Sequence, residues 1–138
     1  CDSKSETPAG WVGDNEFSRW KSLFEPQKYQ LLLMHHHPID VGYFIDRHGL
    51  VNKDEFWRNI YQYPSIRAIG CGHVHNAIEM SDEGSGVGVY TCPATSMQFT
   101  KTFEQVGAAS IEAGYRTFEL KDDGKILSEV IFLNEVIF

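Results

Sequence analysis

Five of the six histidines fall in two short segments, and imidazole is the side chain that joins metal ligation to proton transfer near neutral pH. His35-His36-His37-Pro38 follows the apolar run Leu31-Leu32-Leu33-Met34, and Gly72-His73-Val74-His75 follows Ile66-Arg67-Ala68-Ile69-Gly70-Cys71. Apolar runs of this length read as buried strands, and strands that end in imidazoles deliver them from their carboxyl ends into one crevice. That is how a metal site is built, and His35, His73 and His75 are its expected ligands. Residues two apart in an extended segment point the same way, yet a sharp strand end lets His73 and His75 diverge towards two ions about 4 Å apart. His36 and His37 cannot share the direction of His35, so they are expected beside the ligands or facing a substrate. No side chain is assigned as a general acid or base. The carboxylate and amide ligands that would complete such a site have no counterpart at a strand end in this chain.

Other residues with chemical potential have simpler readings. Asp46-Arg47-His48 offers an Asp-x-His pair, but it lies mid-loop beside Gly49, where loop hydrogen bonding is the expected role. Asp14-Asn15 reads as the cap of a following helix rather than as ligands. Cys71 ends a buried strand and is expected to pack as a small apolar group. Gln98-Phe99 sits in a loop near the site and carries only a weak signal.

The elements that must position the histidines follow from periodicity. Phe17, Trp20 and Leu23/Phe24 share one helical face. A strand over 29–34 leads into a long loop over 35–51, and loops of that length in compact domains are commonly functional. Asn52 and Glu55 have the spacing of a capping box, with Phe56, Trp57, Ile60 and Tyr61 as the buried face of a helix ending before Pro64. A second strand covers 66–71. A hairpin follows over 77–90 around Asp82-Glu83-Gly84-Ser85-Gly86, and another pairs 115–121 with 125–133 around Asp122-Asp123-Gly124. This order predicts a mixed α/β (α+β) fold, with one mixed sheet, helices on one face and C-terminal hairpins. A tandem repeat, Glu129-Val130-Ile131-Phe132 and Glu135-Val136-Ile137-Phe138, closes the chain. Its second copy is apolar and without proline, either a final docked strand or an edge open to pairing with another chain.

Length and composition bound the rest. With 138 residues, 42% of them hydrophobic, the chain can bury one sizeable core and is expected to form a single domain over 1–138. A net charge of -7 without a Lys/Arg cluster gives a nucleic-acid polymer little electrostatic reason to bind, and an anionic substrate would need metal cations to hold it. No apolar stretch approaches the ~20 residues of a membrane span. Cys1, Cys71 and Cys92 form an odd set without metal-motif spacing, which fits reduced thiols and a cytoplasmic protein.

The ordered set of motifs resembles a known family. Met34-His35-His36-His37-Pro38 followed by Gly72-His73-Val74-His75 is similar to the C-terminal half of the calcineurin-like metallophosphoesterases. Asp46-Arg47-His48-Gly49-Leu50, Pro93-Ala94-Thr95-Ser96-Met97-Gln98-Phe99 and Ala113-Gly114-Tyr115-Arg116 resemble the bacterial class III 3',5'-cyclic nucleotide phosphodiesterases. The likeness covers roughly residues 30–130, and its ordered motifs are far more specific than Gly-His-x-His alone. It implies the C-terminal half of a four-layer α/β/β/α sandwich, and a parent enzyme that hydrolyses cyclic AMP to 5'-AMP at a binuclear centre of divalent or trivalent Fe, Mn, Zn or Co. His35 and His73 would hold one ion and His75 its neighbour.

The family's N-terminal Asp-x-His, Gly-Asp-x-x-Asp and Gly-Asn-His-Asp/Glu motifs have no strand-end counterpart here, and Cys1-Asp2-Ser3 resembles the segment that follows the last of them. The expectation is therefore a fragment with at most partial metal occupancy and little activity alone, self-associating through an exposed sheet face or edge. Two alternatives stand beside it: a phosphoesterase of broader specificity, and a non-catalytic metal-binding or oligomeric module.

Overall fold

The leucine run and the Ile66 run form adjacent parallel strands, but only the second is the buried strand expected of both: the leucine run lies at the sheet edge and none of residues 30–34 is fully buried. The computed structural model describes residues 8–133. Strand β1, Gln30–Met34, pairs in parallel with β2, Ile66–Cys71, which in turn pairs in parallel with β4, Gly88–Thr91. The short β3, Glu79–Ser81, runs antiparallel on the far side of β4, so the sheet order is β1-β2-β4-β3. Helix α1, Asp14–Leu23, and helix α2, Lys53–Ile60, bury Phe17, Phe56, Trp57 and Ile60 in one cluster with Ile66, Ile69, Cys71 and Val89 of the sheet. This is the mixed sheet with its helices on one face that the element order predicts.

Beyond the sheet, Gln98–Phe99 (β5) and Ala108–Ser110 (β6) make a small pair not anticipated from the sequence, because two- and three-residue strands carry no periodicity. Strands β7, Gly114–Leu120, and β8, Ile126–Phe132, form the C-terminal hairpin as expected. The hairpin closes part of the second face of the sheet. Phe118 meets Tyr90 edge-on at 5.7 Å between ring centroids. Buried Arg116 donates to the Thr91 carbonyl at 2.9 Å, Glu79 at 2.8 Å and Ser128 at 2.9 Å. Gly114 lies so close to Phe132 and Pro93 that a Cβ would come within 2.8 Å of both. Residues of the Ala113–Arg116 motif thus fasten the hairpin to the sheet. The cover is incomplete, since Leu33 on β1 remains 67% exposed. The start at Cys1-Asp2-Ser3 and the second copy of the terminal repeat, Glu135–Phe138, lie outside the described residues.

Three local expectations need correction. Asp14 is the first helical residue and Gly13 the N-cap, with no side-chain capping bond; the acidic groups of Asp14 and Glu16 instead complement the helix dipole. Tyr61 follows α2 and is half exposed, because the turn after Ile60 rotates it off the buried face. Asn52 is the N-cap residue of α2 but makes no capping bond. Its side-chain amide donates to the Val12 carbonyl at 2.7 Å and to the Glu55 carboxylate at 2.9 Å, and its oxygen accepts from the Val12 N–H at 3.1 Å, not from a helix N–H. Tertiary pairing with a buried peptide outcompetes the local box. Asn52→Ala is expected to leave both polar groups of Val12 unsatisfied and to destabilise the chain by about 2–3 kcal/mol, measured by urea denaturation.

Candidate metal centre

The register of β1 and β2 creates the site. Met34 pairs with Cys71, so the next residues on each strand, His35 and Gly72-His73, leave the sheet side by side at its carboxyl edge. Gly72 lies beside the His35 ring, where even a Cβ would meet His35 Nδ1 at an ordinary contact distance of 3.4 Å. His35 Nε2 and His73 Nδ1 stand 3.2 Å apart. Two nitrogens on one tetrahedral zinc-like ion, each at about 2.0–2.1 Å, are separated by about 3.3 Å.

The turn that carries His73 and His75 is strained. Both have positive φ, 65° and 52°, a conformation that costs a non-glycine residue about 1–3 kcal/mol. Val74 between them supplies the restraint. It is wholly buried with Tyr43, Phe44 and Ile45, its carbonyl accepts the Tyr43 hydroxyl at 2.8 Å, and its N–H closes onto the Gly72 carbonyl at 2.7 Å. The buried valine holds the backbone while the imidazoles on either side of it stay half-buried. His75 stacks on Phe99 at 4.1 Å between centroids, nearly parallel at 5°. Its Nδ1 lies 3.0 Å from the Met97 carbonyl. A carbonyl only accepts, so Nδ1 carries the proton and Nε2 is left as the donor atom for a ligand.

His36 and His37 divide. His37 has no exposed surface; its Nε2 bonds Asp46 Oδ1 at 3.1 Å, and it presents no atom to a substrate. Asp46 also accepts the N–H groups of Val41 and Gly42, both at 2.8 Å. It therefore performs the loop hydrogen bonding expected of it, in a single 3-10 turn over Phe44–His48. His36 stays half-buried, with its Nε2 2.9 Å from the Pro8 carbonyl. Among the described residues, one close group of possible ligand atoms joins His35, His36 and His73, all within 4.8 Å of one another, while His75 stands apart. A second group, His37, Asp40 and Asp46, is already engaged: Asp46 by the bonds above and Asp40 by Lys53.

Sequence reasoning did not single out Tyr43 or Gly10, which carry no motif of their own, and it gave Trp57 only a place on a buried helix face and Val74 only a place between two histidines. Trp57 reaches from α2 to donate to the Pro38 carbonyl at 3.0 Å, tying the histidine loop to the helix. Gln98 is buried as a brace between the Ala94 and Glu112 carbonyls, at 2.9 and 2.8 Å, and takes no place in the site.

The donor set suits a borderline transition-metal ion. Ring nitrogens of His36, His37 and His73 are buried without hydrogen-bond partners, an arrangement that costs free energy unless a ligand answers it. Burial, reinforced by the neighbouring imidazoles, pushes His73 down to about 3 and lowers His35 as well. Both rings are thus neutral and free to donate lone pairs at pH 7. Because the folded chain binds this proton more weakly than the unfolded chain, stability is highest above the ordinary imidazole value near 6.5 and declines as pH falls from there towards 3. Urea midpoints of chelator-treated protein are expected to drop through that window, and a His73→Ala variant to show a flatter profile.

No protein-family model matches the chain. Comparison with curated proteins finds a probable cyclic nucleotide phosphodiesterase of Colwellia psychrerythraea, 51% identical over 137 residues, covering 96% of this chain and 52% of that protein. The 3',5'-cyclic adenosine monophosphate phosphodiesterase CpdA of Escherichia coli K12 is 32% identical over 114 residues, covering 82% and 41%. The protein of the same name from Haemophilus influenzae is 31% identical over 134 residues, covering 95% and 48%. The chain spans about half the length of the curated relatives it matches.

Proposed function

This chain belongs to the cyclic nucleotide phosphodiesterase family, and from that premise we propose that the whole protein hydrolyses a 3',5'-cyclic nucleotide such as cyclic AMP to the 5'-monophosphate. The observation that carries the reading is the 3.2 Å separation of His35 Nε2 and His73 Nδ1 at paired strand ends. In this reading residues 1–138 act as one domain, a C-terminal portion, and the remaining ligands of a two-ion centre drawn from Fe, Mn, Zn or Co come from elsewhere in the whole protein. Such ions supply Lewis acidity towards a phosphoryl oxygen and make bound solvent acidic enough to attack phosphorus near neutral pH. The chain's own residues hold and orient: His35 and His73 grip one ion, and His75, its tautomer set by Met97, offers Nε2 to the neighbour. No Lys/Arg cluster lines the motifs, so neutralising the substrate's charge falls to the metals.

Three further parts of the proposal concern the chain in isolation. It turns over substrate poorly, because three imidazoles lack the carboxylates that bind hard cations. It self-associates along β1, which among the described residues pairs on one side only and exposes Leu33. Its setting is the cytoplasm, in keeping with the free thiols of Cys71 and Cys92. No helix of the described residues is long and apolar enough to cross a membrane.

The test compares the whole protein, its His73→Ala variant and the 138-residue chain, each loaded with Mn²⁺ or Zn²⁺, using cyclic AMP and bis-p-nitrophenyl phosphate. Cyclic AMP turnover by the whole protein that falls at least about 1,000-fold on His73→Ala supports the reading. Hydrolysis of the nitrophenyl diester alone would favour a broader phosphoesterase, metal uptake without turnover a binding module, and robust turnover by the short chain would overturn the half-site argument.

A further inference from the structure

His36 sits where its sequence position gives no reason to place a ligand. Its ring lies 4.9 Å from that of His35 and 4.5 Å from that of His73, centroid to centroid. The Pro8 carbonyl 2.9 Å from Nε2 can only accept, so Nε2 carries the proton and Nδ1 the lone pair. That Nδ1 is buried and has no hydrogen-bond partner, and His36 shares with His35 and His73 a group of possible ligand atoms within 4.8 Å of one another. A ring nitrogen hydrogen-bonded to a backbone carbonyl, with its opposite nitrogen free, is the arrangement that ligating histidines adopt.

Gly10 explains how the ring is held. A Cβ at that position would fall 2.4 Å from both Cγ and Nδ1 of His36. The glycine itself is fixed by backbone bonds, its N–H to the Gly49 carbonyl at 3.0 Å and its carbonyl to the Val51 N–H at 2.8 Å. The segment carrying Pro8 and Gly10 therefore forms one wall of the histidine cluster.

We propose that His36 is a third donor to the ion held by His35 and His73, positioned by the Pro8 carbonyl and by the absence of a side chain at Gly10. The inference rests on the reading that His35 and His73 hold an ion. It adds that the chain by itself presents a three-imidazole site for a borderline divalent cation such as Zn²⁺, Co²⁺ or Ni²⁺.

The full 138-residue chain, stripped with chelator, is titrated with Zn²⁺ by calorimetry and with Co²⁺ by visible absorption, and X-ray absorption counts imidazoles around bound Zn²⁺. Three imidazoles on one ion are expected. His36→Gln should lower Zn²⁺ affinity about 100-fold and bring the count to two. Gly10→Ala, which leaves all the histidines in place but displaces the His36 ring, should weaken binding in the same direction. A count of two imidazoles in the unaltered chain, with binding lost on His73→Gln but not on His36→Gln, overturns the third donor and leaves the pair standing. No binding by the unaltered chain at millimolar Zn²⁺ overturns the pair itself. The count on the unaltered chain decides the matter even if a variant fails to fold.

Discussion

Asp46→Ala is expected to destabilise the chain by about 3–5 kcal/mol and to loosen the histidine loop with it. The carboxylate accepts from His37 Nε2 and from the N–H groups of Val41 and Gly42. His37 has no exposed surface, so its N–H finds no water once Asp46 is gone. Hydrogen bonds to a charged acceptor contribute about 1.5–3 kcal/mol each, and a buried donor left unsatisfied adds its desolvation cost. The damage reaches the site, because the His37 ring stacks against His73 at 5.9 Å between centroids and its backbone carbonyl holds the Leu50 N–H at 3.2 Å. Urea denaturation and Zn²⁺ affinity of one preparation should fall together. Asp46→Asn, whose amide oxygen in the Oδ1 position can keep two of the three bonds, those from His37 and Val41, should lose less. Wild-type stability in the alanine variant would refute the account.

Phe56→Ala is expected to cost about 3–5 kcal/mol, a large share of the total stability of a domain this size. Phe56 is fully buried and touches the rings of Phe17, Trp20 and Trp57 at centroid separations of 6.4, 6.3 and 5.4 Å. It joins α1 to α2, and α2 in turn holds the Pro38 carbonyl through Trp57. Truncation leaves a cavity that rigid aromatic neighbours fill poorly, so the transfer and cavity costs both apply. Tyr61→Ala, one turn away and half exposed, is expected to cost less than about 1 kcal/mol. A thermal denaturation series on both variants checks the contrast, and equal losses would mean that the helix pair is not packed as described.

Most of the larger elements were legible because each carries a long, consistent pattern. The runs 29–34 and 66–71 are apolar without alternation and became parallel strands; the helical spacing of Phe56, Trp57 and Ile60 became a buried helix face. Caps were less legible. Asn52 and Glu55 have the spacing of a capping box and their side chains do meet, yet the amide oxygen went to Val12, forty residues away in sequence, instead of to a helix N–H. A local pattern states what a side chain can bond, while the partner that reaches it depends on the packed chain. The short β5–β6 pair left no trace for a similar reason, being held by its surroundings rather than by its own periodicity.

The site divides along the same line. Residue type and strand-end position by themselves marked five histidines as the chemical centre and named the motifs of the family, because covalent identity and two-residue or 3.6-residue periods are properties of the string. Only the tertiary structure decided where each imidazole sits and what it touches. Parallel register set His35 beside His73, burial of Val74 held two histidines at positive φ, and Asp46 drew His37 into the interior. A glycine and a proline carbonyl far off in sequence turned His36 towards the cluster. Those outcomes depend on which backbone groups meet across the fold, a matter of long-range packing that no short segment encodes.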